Sequence, residues 1–217
     1  MSSRNTRLSS KWAPFAACWA FAVAVWCGSA PARPPEPDPV PRRWQMEVQP
    51  GPLRFATIDV PGKSERAYFY MTYKVTNASG NDLLLAPAFD LANDRGVVVR
   101  SGRDVPAEVT RALLAQLDNP FLEDQIGILG ILQQGPENAK EGLVIWPAQD
   151  IKGEEVAVYA SGFSGESRNV ESPDPRTGEM KRYNLRKTLM LRYRIPGEIY
   201  ERGSEPLELV ERRWILR

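Results

Sequence analysis

The chain contains no histidine, and its only two cysteines, Cys18 and Cys27, lie near the N terminus. Without histidine, Ser-His-Asp and Cys-His nucleophilic catalysis is excluded, together with the most common general base near neutral pH. The usual zinc sites also need histidine or cysteine ligands. These absences exclude most hydrolase mechanisms and leave carboxylates as the main acid–base groups.

The first 32 residues have the pattern of a signal peptide. Arg4, Arg7 and Lys11 form a basic start, an apolar run follows, and Ala30-Pro31-Ala32 supplies the small residues of a cleavage site. We expect cleavage after Ala32 and an extracytoplasmic location, either periplasmic or secreted. Because both cysteines lie in this leader, the mature chain would hold no disulfide and must rely on core burial.

A retained leader is the alternative interpretation. Residues 12–32 carry no charge, and about 20 such residues can span a bilayer, so they would serve as a membrane anchor if uncleaved. Pro14 and Pro31 shorten the usable helix, which favours cleavage. We expect contact with a membrane only through such an uncleaved leader.

No charge of one sign dominates the sequence. Removing the leader takes three of the 28 basic residues and none of the 27 acidic ones, which leaves a net charge of −2. A nucleic-acid-binding domain normally has a strongly basic face. The composition therefore predicts that nucleic acid is not a partner.

A proline-rich linker is predicted at residues 33–43, "RPPEPDPVPRR", where five of eleven residues are proline. This composition favours an extended polyproline II spacer without a core of its own. A proline-rich docking motif is the alternative. The folded domain is predicted to span residues 44–217.

The stretch "AYFYMTYKVTNASGND", residues 67–82, alternates as a β-strand does. Phe69 and Met71 point to one side of an extended backbone, and Tyr68 and Tyr70 point to the other. The two tyrosines either pack against neighbouring elements or form a surface that stacks on sugar rings or a partner peptide. We favour packing, because tyrosine suits a half-buried sheet face.

Seven further segments have strand-like patterns bounded by turn residues: 53–60, 83–94, 97–100, 143–147, 154–163, 183–196 and 207–216. A hairpin turn is predicted at residues 93–96, with Gly96 at a positive φ. Residues 167–182 are expected to form an irregular loop. Eight short strands predict a mainly β protein, an immunoglobulin-like antiparallel β-sandwich in one domain.

Residues 104–134 interrupt this pattern, and we predict a two-helix insertion there. Pro106 suits the start of the first helix, which should end near residue 118 and whose apolar face is Val109, Ala112, Leu113 and Leu117. A second helix is predicted at residues 121–134, although two glycines weaken it. Its apolar stripe is Leu122, Ile126, Leu129 and Leu132, with Ile128 and Ile131 outside the stripe.

Any binding function is predicted to lie in this insertion and the adjoining residues 135–142. Ile128 and Ile131, with Tyr68 and Tyr70, are the candidate partner surface for an unknown protein or envelope component. Alternatively the second helix is wedged between the sheet and the first helix, as helices that are apolar all round usually are. Solvent exposure of Ile128 and Ile131 distinguishes these interpretations.

The segment "YFYMTYKVTNASGNDLLLAP" resembles the central strand of immunoglobulin-like domains in exported bacterial proteins of unknown function. "GLVIWP" and "VERRWILR" are also similar to segments of an uncharacterised exported family built in this way. The resemblance implies a fold, and it implies no catalytic or binding residue.

The remaining chemical motifs are weak. Adjacent carboxylates occur in three pairs, Glu123 with Asp124, Glu154 with Glu155, and Glu137 with Glu141. They leave a carboxylate-dependent hydrolase of unknown substrate as the alternative function, although nothing in the sequence sets their separation. "SGFSGES", residues 161–167, lacks the Gly-x-Ser-x-Gly spacing of a nucleophile elbow and is interpreted as a turn.

We expect no cofactor and no metal. No nucleotide-binding glycine motif follows a strand, and Asp90, Asn93 and Asp94 miss the spacing of a calcium loop. Asn77 begins a glycosylation sequon, which matters only if the source modifies it. The sequence therefore predicts an exported, non-catalytic β-sandwich domain that acts in binding or envelope structure.

Overall fold

Strands dominate the computed structural model, which describes residues 35–41, 43–59, 65–149, 153–197, 199–201 and 203–217. The predicted leader and the predicted cleavage site after Ala32 lie outside these residues. Residues Pro34–Arg217 form one compact unit. Within the described part there are twelve strands and one helix. In chain order they are β1 (Glu47–Ile58), β2 (Arg66–Asn77), β3 (Leu83–Leu85), β4 (Ala88–Asn93), β5 (Val98–Arg100), α1 (Ala107–Leu117), β6 (Leu122–Glu123), β7 (Gly130–Leu132), β8 (Gly135–Pro147), β9 (Glu155–Ser161), β10 (Ser167–Pro173), β11 (Met180–Arg194) and β12 (Glu208–Leu216).

Two larger sheets and a two-stranded ribbon contain these strands. The first sheet has the order β1-β2-β8-β6, and the second has the order β10-β11-β9-β4-β5 with β12 paired to β11. The ribbon is β3-β7. All named pairs are antiparallel except β6 with β8. The prediction of a mainly β, sandwich-like protein with antiparallel sheets is confirmed.

The main core contains the inward-facing residues of both sheets. Phe69, Met71 and Tyr73 of β2 share one buried cluster with Leu91 of β4 and Val158 of β9. The period-2 pattern of β2 explains this, because alternate side chains leave a strand on opposite faces. Apolar burial of this kind is the dominant stabilising term for a domain without disulfides.

The outer face of the first sheet is covered by α1. Tyr68 and Tyr70 form a second buried cluster with Val109 and Leu113 of the helix. The helix begins after Pro106 and ends at Asp118, whose φ of 47° stops the right-handed turn. The first predicted helix is therefore confirmed, and the two tyrosines pack as the favoured interpretation expected.

The predicted second helix at residues 121–134 is wrong. The structure has the short strands β6 and β7 there, separated by a turn at residues 125–128. Gly130 has a φ of 144°, which no helical residue adopts. Asp124 accepts hydrogen bonds from the backbone N–H groups of Ile126 and Gly127, so a local turn competes successfully with the helix.

Two segments expected to be loops are strands instead. Residues 135–142 belong to β8, and residues 167–182 form β10, a turn and the start of β11. Val170 lies opposite Tyr183 in this hairpin. Gly178, at a φ of 74°, closes the turn by donating from its N–H to the carbonyl of Asp174 at 2.8 Å. By contrast, the turn at residues 93–96 forms as predicted, with Gly96 at a φ of 84°.

The proline-rich segment lies against the domain, which differs from the expected free spacer. We call residues 35–41 the proline strap. The N–H of Asp38 donates to Oε1 of Glu166 at 2.9 Å, and the N–H of Leu216 donates to the carbonyl of Pro35 at 3.3 Å. Hydrogen bonds to Leu216 of β12 and to Glu166, directly before β10, therefore hold the strap against the domain, so it does not act as a solvated linker.

Candidate binding surface

Exposed apolar side chains concentrate on the segment that was predicted to be the second helix. We call residues 119–132 the apolar loop. Five of the thirteen exposed large apolar side chains described lie on it or on the strand paired with it, namely Phe121 (78% exposed), Ile126 (73%), Leu129 (49%), Ile131 (61%) and Leu84 (62%). Leu84 of β3 lies directly opposite Ile131 of β7. Such concentration marks an interaction site more often than scattered single residues do.

Three buried residues anchor the same loop to the domain. Leu122, Ile128 and Leu132 are 8%, 0% and 1% exposed. Ile128 fits beside Gly142, where an added Cβ would lie 2.6 Å from Ile128 Cδ1 and 2.5 Å from Tyr73 Cζ. The glycine is therefore required by close packing, and the anchors leave the exposed apolar residues on a fixed backbone.

Side chains of the loop also accept hydrogen bonds from its backbone N–H groups. Asp124 Oδ1 accepts from the N–H of Ile126 at 2.9 Å and from the N–H of Gly127 at 2.6 Å. Asn119 Oδ1 accepts from the N–H of Phe121 at 3.0 Å, and Asn119 Nδ2 donates to Oε2 of Glu141 at 2.7 Å. The bonds to the N–H groups of Phe121 and Ile126 close Asx turns, which hold irregular backbone in one conformation.

Ion pairs lie next to the loop. Lys140 Nζ is 3.3 Å from Glu123 Oε1 and 3.5 Å from the carbonyl oxygen of Ile128, to which it donates. Lys74 Nζ is 3.8 Å from Glu141 Oε1. Both carboxylates therefore have a cation close by, and the two contacts of Lys140 connect the loop to β8.

Tyr73 borders a small cavity beside the loop. The cavity has a volume of about 200 Å³, and its lining includes Tyr73, Phe89, Val144, Ile126 and Leu129. Drug-sized ligands occupy roughly 300–1,000 Å³, so this cavity suits a single side chain of a partner. The buried Tyr73 hydroxyl has no hydrogen-bond partner among the described residues. Burial and the nearby Glu123 carboxylate raise its pKa, so the phenol stays protonated.

The predicted partner surface of four residues is not formed. Tyr68, Tyr70 and Ile128 are 1%, 3% and 0% exposed, and only Ile131 faces solvent. The two tyrosines lie under α1, whereas Ile128 anchors the apolar loop. The prediction failed because it placed Ile128 and Ile131 on a helix, and the segment forms a turn and a short strand instead.

Sequence reasoning missed Phe121, Ile126 and Leu129 as exposed residues. Ile126 and Leu129 were assigned to the buried stripe of a helix, but Ile126 lies in the turn at residues 125–128, Leu129 follows that turn, and both are exposed. The available signal was Asp124, which lies two residues before Ile126 as in an Asx turn, with glycines at 127 and 130.

Other candidate residues have structural partners. Asp90 Oδ2 accepts from Arg217 at 3.1 Å, and Asp94 Oδ2 accepts from the N–H of Glu154 at 3.0 Å. Asn77 Nδ2, the atom that a glycan would modify, is buried and donates to the carbonyls of Leu132 and Asn81. Ser164 of the "SGFSGES" stretch pairs with Gln45 in an isolated bridge, which agrees with a turn.

Searches of protein-family models, curated proteins and solved structures find no match to the chain. Across the described residues, no helix is long and apolar enough to cross a membrane. The same residues contain no group of three or more acidic, histidine or cysteine side chains placed to hold a metal ion.

Proposed function

We propose that this protein is an exported, non-catalytic β-sandwich domain that binds a protein partner of the cell envelope through the apolar loop. The observation that carries the proposal is the combination of exposed apolar side chains with a fixed backbone. Ile126, Leu129 and Ile131 face solvent, while Ile128 between them is fully buried. A loop that only connected two strands would not need apolar side chains on its outer side.

The energetic argument also favours binding over stability. An exposed isoleucine contributes little to folding, because burial of apolar area supplies the free energy. The same residue in an interface is removed from water only when a partner covers it. A rigid loop loses little conformational entropy on binding, which increases affinity for a given buried area. The cavity beside Ile126 and Leu129 would receive one anchoring side chain of the partner.

The state of the carboxylates supports a non-catalytic role. One member of each candidate pair already has a cation: Glu123 has Lys140, Glu141 has Lys74 and Glu155 has Arg192. A carboxylate-dependent hydrolase, the alternative function, needs two acidic groups facing a substrate with different pKa values. No structural observation favours that alternative.

The strand order supports an immunoglobulin-like assignment for the sandwich. The adjacent strands β1, β2 and β8 match A, B and E of that fold, and β5, β4, β9 and β11 match C′, C, F and G. β6 departs from the pattern, since it runs parallel to β8. β10, β12 and α1 would then be additions to the basic sandwich.

Export is proposed from the leader. Its basic start, apolar run and small residues at 30 and 32 favour cleavage after Ala32, with membrane retention through residues 12–32 as the alternative. Sequencing the N terminus of the mature protein tests this. A chain beginning at Met1 in the membrane fraction would establish the anchored form.

A matched pair of double variants tests the binding function. Ile126→Ser with Ile131→Ser removes two exposed side chains of the apolar loop, whereas Leu209→Ser with Val210→Ser removes two exposed side chains of β12. Tagged full-length chains are isolated from the native host, and any retained protein is then purified and titrated against each variant. We expect one partner that the wild type and the β12 variant bind equally, and that the loop variant binds at least tenfold more weakly.

Melting temperatures of the three chains provide the control. We expect them to agree, because all four replaced side chains are solvent-exposed. Equal partner affinity in the loop variant would contradict the proposed surface. A lower melting temperature of that variant would instead show that these residues stabilise the domain.

A further inference from the structure

A larger cavity lies under the proline strap, and none of its lining residues belongs to the apolar loop. Its volume is about 570 Å³, within the roughly 300–1,000 Å³ of small-molecule sites. The strap supplies one wall, including Pro37, Pro39 and Pro41. The opposite wall contains Gln45, Lys187, Arg213 and Trp214.

The two cations that line this cavity already have carboxylate partners. Lys187 Nζ is 2.9 Å from Glu166 Oε2, and Arg213 Nε is 3.0 Å from Glu211 Oε1. The lining also contains two carboxylates, Glu36 and Asp38. An anionic ligand would therefore find no unpaired cation among the lining residues, whereas ligand hydroxyls can donate to the carboxylates.

Flat apolar surfaces and polar atoms alternate around the cavity. The indole of Trp214 and the rings of three prolines offer surfaces on which C–H groups can pack. Lys187 Nζ lies 5.8 Å from the centroid of the Trp214 ring, which fixes the orientation of this part of the wall. Glu36 is exposed at the rim and can accept hydrogen bonds.

One buried acceptor lacks a donor. Gln45 Oε1 is closed off from solvent and has no hydrogen-bond partner among the described residues. Leaving such an atom unsatisfied destabilises the folded chain. Because Gln45 lines the cavity, a half-turn of its amide brings Oε1 to the position of Nε2, where a ligand hydroxyl can donate to it. A proline-rich peptide could not satisfy it through its prolines, because proline has no N–H.

We propose that the cavity under the proline strap binds a neutral mono- or disaccharide. A sugar ring has a C–H face for the Trp214 indole and hydroxyls that donate to Gln45 and Glu36. It also carries no negative charge, which suits a lining whose two cations are already paired. The site is independent of the apolar loop, so either assignment can fail without the other.

Saturation-transfer NMR on the full-length chain tests the site with defined probes: cellobiose, maltose, lactose and N,N′-diacetylchitobiose at millimolar concentration, with glucose 6-phosphate as a charged comparison. We expect transfer to the ring C–H protons of at least one neutral sugar. Transfer to the phosphorylated sugar alone, or to none of the probes, would overturn the proposal.

Two variants locate the binding. Trp214→Phe should weaken the bound sugar roughly tenfold, whereas Trp44→Phe, which alters a tryptophan bordering a different cavity, should leave its affinity unchanged. Gln45→Leu removes the unpaired oxygen. It should weaken the sugar severalfold while keeping or raising the melting temperature, an outcome that a purely structural role does not produce. Unchanged affinity in both Trp214→Phe and Gln45→Leu would place the sugar elsewhere and contradict the assignment.

Discussion

Helix α1 and the apolar loop are consecutive in the chain, but they differ in how far their apolar residues are buried. Val109 and Leu113 of α1 are fully buried against the first sheet. In the loop, Ile126 and Ile131 are 73% and 61% exposed, and only intervening residues such as Ile128 are buried. The helix completes the core. The loop uses a few anchors to present apolar side chains to solvent, which is the basis of the proposed binding role.

Burial, rather than residue type, should therefore decide what each side chain contributes to stability. The ion pairs allow the same comparison with polar groups. Lys187 and Glu166 are 4% and 11% exposed at their side chains, whereas Arg182 and Glu171 are 71% and 61% exposed. If burial decides the contribution, truncating a buried group lowers the free energy of unfolding strongly, and truncating an exposed group changes it little.

The largest effect is expected for Glu166→Ala, which leaves Lys187 buried without its carboxylate. Breaking a buried pair in this way costs about 3–5 kcal/mol. Glu171→Ala breaks an exposed pair and should cost less than about 1 kcal/mol. Chemical denaturation of both variants measures the difference. Equal losses would mean that burial does not govern these pairs.

The buried pair should also respond to pH. Burial by itself raises the pKa of Glu166, but the hydrogen bonds from Lys187 and from the N–H of Asp38, with the nearby cations, outweigh it and lower the pKa overall. A carboxyl whose pKa is lowered by folding stabilises the protein above its unfolded pKa, and this contribution is lost as pH falls through the folded value. The melting temperature of the wild type should therefore fall in acid more steeply than that of Glu166→Gln.

Leu113→Ala tests the buried face of α1. A cavity of this kind costs about 2–5 kcal/mol. Gln116→Ala, on an exposed position of the same helix, should change the free energy of unfolding by less than about 0.5 kcal/mol. A small effect at Leu113 would mean that α1 is not part of the core.

Gly142→Ala tests the anchoring of the apolar loop. The new methyl group would overlap with Tyr73 and Ile128 and should cost about 1–3 kcal/mol. Ile128→Val removes Cδ1, one of the three atoms that the new methyl group would overlap, so the double variant should lose less stability than the sum of the single variants. Simple additivity would contradict the close packing at this site.

Tyr73→Phe should raise stability by about 1 kcal/mol. The hydroxyl is buried and has no partner among the residues that the structure describes, so its removal takes away a desolvation cost. The ring keeps its contact with Phe89, at a centroid distance of 4.7 Å. Urea denaturation provides the measurement. A clear loss of stability would show that the hydroxyl makes a hydrogen bond in solution.

The smallest effect on stability is expected for Ile131→Ser. Its side chain is 61% exposed, so the free energy of unfolding should change by less than about 0.5 kcal/mol. Thermal unfolding of this variant next to Ile128→Ser gives the sharpest contrast within the loop. A large loss of stability in Ile131→Ser would contradict the distinction between the buried anchor residues and the exposed apolar residues of the loop.

Much of the fold could be predicted from sequence because its strands carry strong local patterns. The alternation in β2 and the Asn93–Gly96 turn are local signals, and both are found in the structure. The apolar loop could not be predicted in this way. Its apolar residues fit a helical period, but Asp124 hydrogen bonds and the positive φ of Gly130 decide its conformation.

The proline strap shows a second limit of sequence reasoning. Its composition favours an extended chain, but composition does not reveal whether that chain packs against the rest of the domain. The residue that binds it is Glu166, which lies 128 residues away and accepts a hydrogen bond from the N–H of Asp38. A contact over this separation depends on the topology of the second sheet and has no local signal.

Site-specific photo-crosslinking in the native host tests the central claim most directly. A benzophenone amino acid is placed at Ile131 of the apolar loop or, as control, at Met180, which is 66% exposed on the β10–β11 hairpin. The account predicts one discrete protein adduct from position 131 and no corresponding adduct from position 180. No adduct at 131, or the same adducts from both positions, would contradict a binding role for the apolar loop.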